Sequence, residues 1–183
     1  MMQNPHRRRR RRQAAVVVNV LFLCTGNSAR SILAEVMLNE LGQGTYRAYS
    51  AGSHPTGSVN PGAIRKLAEK GHSTDGVSSK SWDVFSGTDA PEIDVVITVC
   101  DNAAGESCPT WNGNPVTAHW GIPDPAYFDD EEARDAAFDI AYTRLRWRIE
   151  GLLELPRDLD AAALQQALQR IHEQASAADV VSV

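Results

Sequence analysis

Residues Val16 to Leu23 are dominated by β-branched and aliphatic side chains with no polar alternation, the pattern of a strand buried on both faces. The run breaks at Cys24-Thr25-Gly26-Asn27-Ser28-Ala29-Arg30-Ser31. Ile32, Leu33, Val36, Met37 and Leu41 then fall at helical spacing, and Gly42 is the stop. Strand, tight loop and helix therefore follow within one short stretch. Tyr46 to Gly52 reads as a second strand, closed by Ser53-His54-Pro55. Asn60-Pro61 announces a helix with Asn60 as cap and Pro61 in its first turn, running to Lys70 before Gly71, with Ile64, Leu67 and Ala68 as its buried stripe. Ile93 to Val99 is a third continuous strand ending at Cys100, and Pro115 to Trp120 is a short fourth.

Beyond these, Ala133, Ala137, Ile140, Ala141, Leu145, Ile149, Leu152 and Leu153 mark a long amphipathic helix over Asp130–Leu155, with an acidic first turn and Pro156 as its stop. Arg144, Arg146 and Arg148 cannot share one of its faces and read as solvated. A last helix from about Asp160 buries Leu164, Ala167, Leu168 and Ile171, and residues 176–183 read as a frayed tail. Strands alternating with helices call for one α/β domain over residues 16–175, a four-stranded parallel sheet with helices on both faces. In the flavodoxin-like order of such sheets the third strand lies beside the first, and ligands bind outside the carboxyl ends of the strands. Cys24 and Cys100 would then end neighbouring strands.

At 183 residues and 43% apolar content, one core suffices and no second domain is required. No apolar run is long enough to span a membrane. The one compositional anomaly is Arg7 to Arg12, six consecutive arginines in a segment without apolar partners, read as a disordered extension over residues 1–15. Without those six, 12 basic residues face 23 acidic ones, a net charge of about −11. A body so acidic argues against a nucleic-acid-binding surface. The arginines also lack the apolar stretch and cleavage site of a signal peptide.

Chemistry concentrates in the first loop. A loop feeding a helix N-terminus directs unpaired N–H groups inward beside the positive end of the helix dipole, so residues 25–31 should bind an oxyanion. Within it Thr25, Ser28, Ala29 and Ser31 contribute backbone or hydroxyl donors, Gly26 permits close approach, and Asn27 tolerates a left-handed backbone. Arg30 can clamp two oxygens of a tetrahedral anion. Cys24, flanked by that dipole, Arg30 and the Ser31 hydroxyl, is expected to be held as a thiolate and to attack in line. Asp124 lies between Pro123 and Pro125, whose fixed backbone could hold its carboxyl above the anion as a general acid; an Asp-Pro pair is equally a common turn initiator. Cys100 and Cys108 lack the Cys-x2-Cys spacing of a zinc site, and His119 is the only histidine near them, so no metal is expected. Cys100 could be a small buried core residue, but Cys108 in a Gly- and Ser-containing loop is not accounted for that way. His54 and His72 sit in polar turn contexts and read as solvated; Ser78 to Asp83 reads as a loop without assignable chemistry.

The segments Val20 to Ser31, Ser50-Ala51-Gly52, Thr98-Val99-Cys100 and His119-Trp120-Gly121-Ile122-Pro123-Asp124-Pro125 resemble the low-molecular-weight protein tyrosine phosphatase superfamily, and in particular its bacterial, thioredoxin-coupled arsenate reductases. The resemblance spans Val18 to about Pro125 and implies a phosphatase I-like fold. It also implies a relay: Cys24 attacks arsenate, Cys100 attacks the Cys24 adduct and releases arsenite, and Cys108 then attacks Cys100. The Cys100–Cys108 disulfide would be handed to thioredoxin, or to glutathione and glutaredoxin, as an external reductant, with no bound cofactor. Ala29 stands where many relatives carry a further cysteine. A cation site of some relatives would correspond to Asn27 and Glu35. Free redox thiols suit the cytoplasm.

Two other readings remain at this level. A tyrosine phosphatase would use Cys24, Arg30 and Asp124 alone; such relatives carry aromatics directly after Asp-Pro and an apolar residue in the loop, whereas this chain has Ala126 and Ser28, with Tyr127 partly restoring an aromatic. A non-catalytic oxyanion sensor would make Cys100 and Cys108 incidental.

Overall fold

The computed structural model describes residues 16–181, so the six-arginine segment and the reading placed on it lie outside the described residues. Strand β1 (Val18–Leu23) leads through the loop to helix α1 (Arg30–Leu41), β2 (Tyr46–Ala51) and α2 (Pro61–Glu69). Then follow β3 (Val95–Thr98), a one-turn helix α3 (Asp101–Ala104), β4 (Val116–His119), α4 (Glu131–Leu153) and α5 (Ala161–Val181). All pairings are parallel and the order is β2-β1-β3-β4, as the flavodoxin-like expectation requires. The register matters most: Leu23 pairs with Ala51 and with Thr98, and Thr98 with His119. All four strands therefore end level, and the loops that follow share one rim.

β1 lies between β2 and β3, which is why its sequence shows no alternation: Val20 and Phe22 enter one buried cluster and Leu21 and Leu23 another. The larger cluster packs Val95, Ile97 and the buried faces of α1 and α4 together with Leu168 of α5. The smaller joins Ala51, Phe85, Ile93, Val96 and Trp111, and the helical cover on that side is a 3₁₀ turn, Trp82–Phe85, capped by Ser81. α5 lies along the edge strand, where the Gln165 amide donates to the Thr117 carbonyl and the Trp120 indole N–H to the Leu168 carbonyl. An edge covered in this way is not free to pair with another chain. Among the described residues no helix is long and apolar enough to cross a membrane.

Several positions depart from the apolar periodicity, all at seams between helices. α2 buries Ala63, Lys66 and Leu67, leaving Ile64 half-buried and Ala68 exposed. Its face is turned toward α4, where Phe138 lies so close that a Cβ on Gly62 would sit 2.5 Å from its ring. Lys66 survives burial because its ammonium meets Glu69 at 2.7 Å, Asp135 at 3.4 Å and Asp139 at 3.5 Å. Burial favours the neutral amine, but these carboxylates outweigh it and hold the Lys66 pKa above its ordinary value. His72 is buried, not solvated: after Gly71 turns the chain back, the ring bridges Glu40 of α1 and the Tyr142 hydroxyl of α4. In α4, Ile140 is exposed while Phe138 and Tyr142 are buried.

Arg148 is buried with 1% of its surface accessible, and α5 supplies what makes this possible. Its guanidinium donates to His172 Nδ1 at 3.1 Å, Ser176 Oγ at 3.1 Å, Asp179 Oδ2 at 3.2 Å and the Arg144 carbonyl at 2.8 Å. Ser176 and Asp179 thus belong to the packed molecule, and α5 continues to Val181, into the stretch expected to fray. Removing one partner of a buried ion pair leaves an uncompensated charge, so Asp179→Ala is expected to cost about 3 kcal/mol. Truncation after residue 175 is expected to cost at least as much. Urea unfolding of both variants checks this, and an unchanged midpoint for the truncation would refute the role given to α5.

Candidate active site

Because β1 ends at Leu23, Cys24 stands on the rim and its amide still donates to the Ala51 carbonyl at 3.3 Å. The loop beyond it is held from both sides. The amides of His54 and Thr56 donate to the carbonyls of Thr25 and Gly26, and the Asn60 amide to that of Ser28. From the 78–81 segment, Ser79 Oγ donates to the Gly26 carbonyl and the Lys80 amide to Asn27 Oδ1 at 2.8 Å. Gly52 permits this: a Cβ there would lie 2.4 Å from the Thr25 carbonyl oxygen. The loop segment without assignable chemistry is therefore the outer wall of the cradle.

Asn27 takes the expected left-handed conformation, φ 44°, and is buried. Its side-chain amide donates to Ser31 Oγ at 2.8 Å, and Ser31 Oγ lies 2.8 Å from Cys24 Sγ. Ser31 Oγ accepts from Asn27 and keeps its own proton, which it can give to the sulfur when Cys24 reacts as a thiolate. α1 begins at Arg30 with Ala29 at its cap position and no side-chain cap, which leaves its first-turn N–H groups free for an anion.

Arg30 reaches across the rim, donating to the Ile122 carbonyl at 3.0 Å, with Nη2 3.6 Å from Asp124 Oδ2. Asp124 also caps the 3₁₀ turn Pro125–Tyr127, through Oδ1 to the Ala126 amide. Arg30, Cys100 and residues 121–124 line one open cleft of about 360 Å³. Cys100 is buried at the start of α3, where its sulfur accepts from the Ala103 amide at 3.4 Å and lies 3.6 Å from Thr25 Oγ1. Cys108 is exposed and lines a second cavity of about 570 Å³, between Trp111, His119 and α5. All three cysteines are free thiols. Cys24, the residues of its loop, Arg30, Cys100 and Asp124 thus converge, and Cys108 stands apart at the far end of the α3 segment.

Three groups at this site were given no role by the sequence, although His119 and Gly121 lie in a segment that carries the family resemblance. His119 fixes the start of α3 to the sheet, with Nδ1 2.7 Å from Thr98 Oγ1 and Nε2 2.9 Å from Asp101 Oδ1. Gly121 leaves room for that pair, since a Cβ would come within 2.6 Å of both side chains. Glu106 accepts from Thr25 Oγ1 at 3.4 Å. No periodicity marks any of them, because their partners are remote in sequence.

Glu35 is half enclosed behind the loop, hydrogen-bonded to Ser50, with Lys80 Nζ 4.0 Å away. Burial raises its pKa, and the Ser50 bond and Lys80 only partly oppose this. Asn27 Oδ1 is engaged by the Lys80 amide, and an ammonium of the chain already faces Glu35. This donor set does not fit a resident cation.

A family model described as low molecular weight phosphotyrosine protein phosphatase matches residues 19–171, and the chain belongs to that family. Its relatives include an arsenate reductase of Bacillus subtilis (strain 168), 34% identical over 135 residues, covering 74% of this chain and 91% of the relative. An arsenate reductase of Halalkalibacterium halodurans is 36% identical over 136 residues, covering 74% and 94%. A solved arsenate reductase in a phosphate-binding state superposes with a TM-score of 0.58 at 28% identity, covering 74% of this chain and 96% of that one.

Loss of the Ser31 hydroxyl removes a donor within reach of a Cys24 thiolate, so Ser31→Ala should slow alkylation of Cys24 by iodoacetamide at neutral pH about tenfold, the equivalent of one charge-assisted hydrogen bond. A raised folded-state pKa means that Glu35 opposes folding once ionised, from the ordinary value of 4.5 upward through its own titration. Glu35→Gln should therefore flatten the decline in stability as pH rises from 4.5 toward 7, with a net change at pH 7 within about 1 kcal/mol. Denaturant unfolding at both pH values tests it, and an undiminished decline would assign that decline to another group.

Proposed function

We propose that this chain reduces arsenate to arsenite by a three-thiol relay. The observation that carries the reading is the placement of Cys100: its sulfur contacts Thr25, the residue next to Cys24, and the short segment that follows ends in an exposed second thiol. Family membership and arsenate reductase relatives at 34% and 36% identity support it.

The anion sits on the backbone donors of residues 25–31 with Arg30 across two of its oxygens. Cys24 thiolate attacks arsenic; the opposite As–O bond breaks, and the departing oxygen takes a proton from Asp124 and leaves as water. Cys100 attacks the Cys24 sulfur, the S–As bond breaks with its electron pair remaining on arsenic, and arsenite departs. Cys108 then attacks Cys100, freeing Cys24 as a thiolate and leaving a Cys100–Cys108 disulfide. That bond needs Cα atoms within roughly 7 Å, so the segment around Gly105 must refold. An external thiol reductant, thioredoxin or glutathione with glutaredoxin, completes the cycle, and the reducing cytoplasm is the compartment that suits it.

Phosphoester hydrolysis would use the same Cys24, Arg30 and Asp124 but gives Cys100 and Cys108 no work. Turnover of arsenate, with each reductant system supplied separately, should be lost beyond the first cycle in both Cys100→Ser and Cys108→Ser. Mass spectrometry should find a Cys24–Cys100 disulfide in the second variant. Sustained arsenate turnover by either variant would overturn the relay.

A further inference from the structure

We infer that Glu106, acting through the Thr25 hydroxyl, takes the proton that Cys100 must lose before it attacks the Cys24 adduct. This deepens the proposed reductase reading and rests on it. Glu106 touches neither the anion nor a reacting sulfur, so it is a positioning residue that sets the Thr25 hydroxyl and receives its proton.

The direction of the chain follows from donor arithmetic. A carboxylate only accepts, and Glu106 Oε1 lies 3.4 Å from Thr25 Oγ1, so the single hydroxyl proton of Thr25 points to Glu106. Cys100 Sγ, 3.6 Å from the same oxygen, must then be the donor toward it. The Ala103 amide already donates to that sulfur, which leaves the S–H free to face Thr25. When the S–H proton moves to Thr25 and the hydroxyl proton to Glu106, both bonds reverse: Thr25 now donates to a thiolate, and Glu106 carries the proton. The thiolate attacks the Cys24 sulfur, the S–As electron pair stays on arsenic, and no oxidant beyond the bound arsenate is needed. The O···O span must close from 3.4 Å to about 2.8 Å for transfer, a tightening common when a site fills.

The surroundings suit this role. Glu106 is partly exposed, its side chain 26% accessible, so it can release the proton to solvent. Its second oxygen lies 3.9 Å from His54 Nδ1. From the other elements, Arg30 of α1 and Asp101 line the cleft beside Cys100. Asp101 is held by His119 of β4, and His172 and Glu173 of α5 share the cavity that Glu106 and Cys108 line. Burial, then Arg148 and His119, keep the His172 pKa below the ordinary range. Because Glu106 lies two residues before Cys108, refolding of the segment also withdraws the carboxylate once its proton has been taken.

The test uses the full chain carrying Cys108→Ser, in which the Cys24–Cys100 disulfide accumulates after one addition of arsenate. Its formation is followed by rapid alkylation and mass spectrometry as a function of pH. Glu106→Gln keeps an oxygen that accepts from Thr25 but cannot take a proton. It should slow disulfide formation on the order of 10²-fold at pH 7, with the rate climbing steeply as pH rises. Glu106→Asp should retain most of the rate and the flatter profile. Thr25→Val should mimic Glu106→Gln, and the double variant should be no slower than Thr25→Val alone. An unchanged rate in Glu106→Gln, or a slower one with the parent's pH profile, would overturn the proton transfer and leave a mere tether. No disulfide at all in the parent would overturn the reductase reading and this inference together.

Discussion

The site depends on one buried run of hydrogen bonds. Ser31 is fully buried between Asn27, which donates into its oxygen, and Cys24, whose sulfur lies 2.8 Å from that oxygen. In a low-dielectric interior such bonds are stronger than in water, and an unpaired member would be costly. The amide of Lys80, itself outside the cradle, fixes the other end by holding Asn27 Oδ1. The orientation of the Asn27 side chain, and through it of Ser31, is thus set by a backbone N–H some fifty residues along the chain. That explains why residues 52–56 and 78–81 are spent on clamping a loop they do not chemically resemble.

The level ends of the strands convert this local order into a site. Parallel pairing without offset delivers Cys24, Cys100 and the chain entering Asp124 to one rim, where three loops are covalently remote yet adjacent. The loops differ in how firmly they are held. The anion loop is bonded through carbonyls of Thr25, Gly26 and Ser28 and through both ends of the Asn27 side chain. The segment from Asp101 to Cys108 is tied chiefly by His119 to Asp101 and by Glu106 to Thr25, around a single helical turn. Few bonds to break is what a segment needs if its second thiol is to reach its first. The anion loop is held at many points and the Asp101–Cys108 segment at few.

What could be read from the sequence was what is local. Strands of continuous β-branched residues, the Asn60-Pro61 helix start and the Cys24 to Ser31 loop declare themselves within a few residues of their own chemistry, and the structure contains each of them. What could not be read was burial of charge. Arg148, Lys66 and His72 look like surface in any periodic pattern, yet each sits on a seam between helices and draws its partner from a remote element: Asp179, Asp135 and Tyr142. The roles of Glu106 and His119 were hidden for the same reason, since Thr25 and Asp101 lie far from them in sequence. A pattern of hydrophobicity records which face is buried; it does not record that a buried cation has been promised a carboxylate from another helix.

The same remoteness bears on how the Cys24 loop and the Asp124 loop are coupled. Arg30 leaves the first turn of α1, gives Nη1 to the Ile122 carbonyl and brings Nη2 to 3.6 Å from Asp124 Oδ2. One planar guanidinium thus faces both loops, and because its donors have fixed directions the position of one loop constrains the other. An oxyanion held on the backbone donors of residues 25–31 would meet the same guanidinium, so the cradle and the Asp124 loop share one cation across the rim.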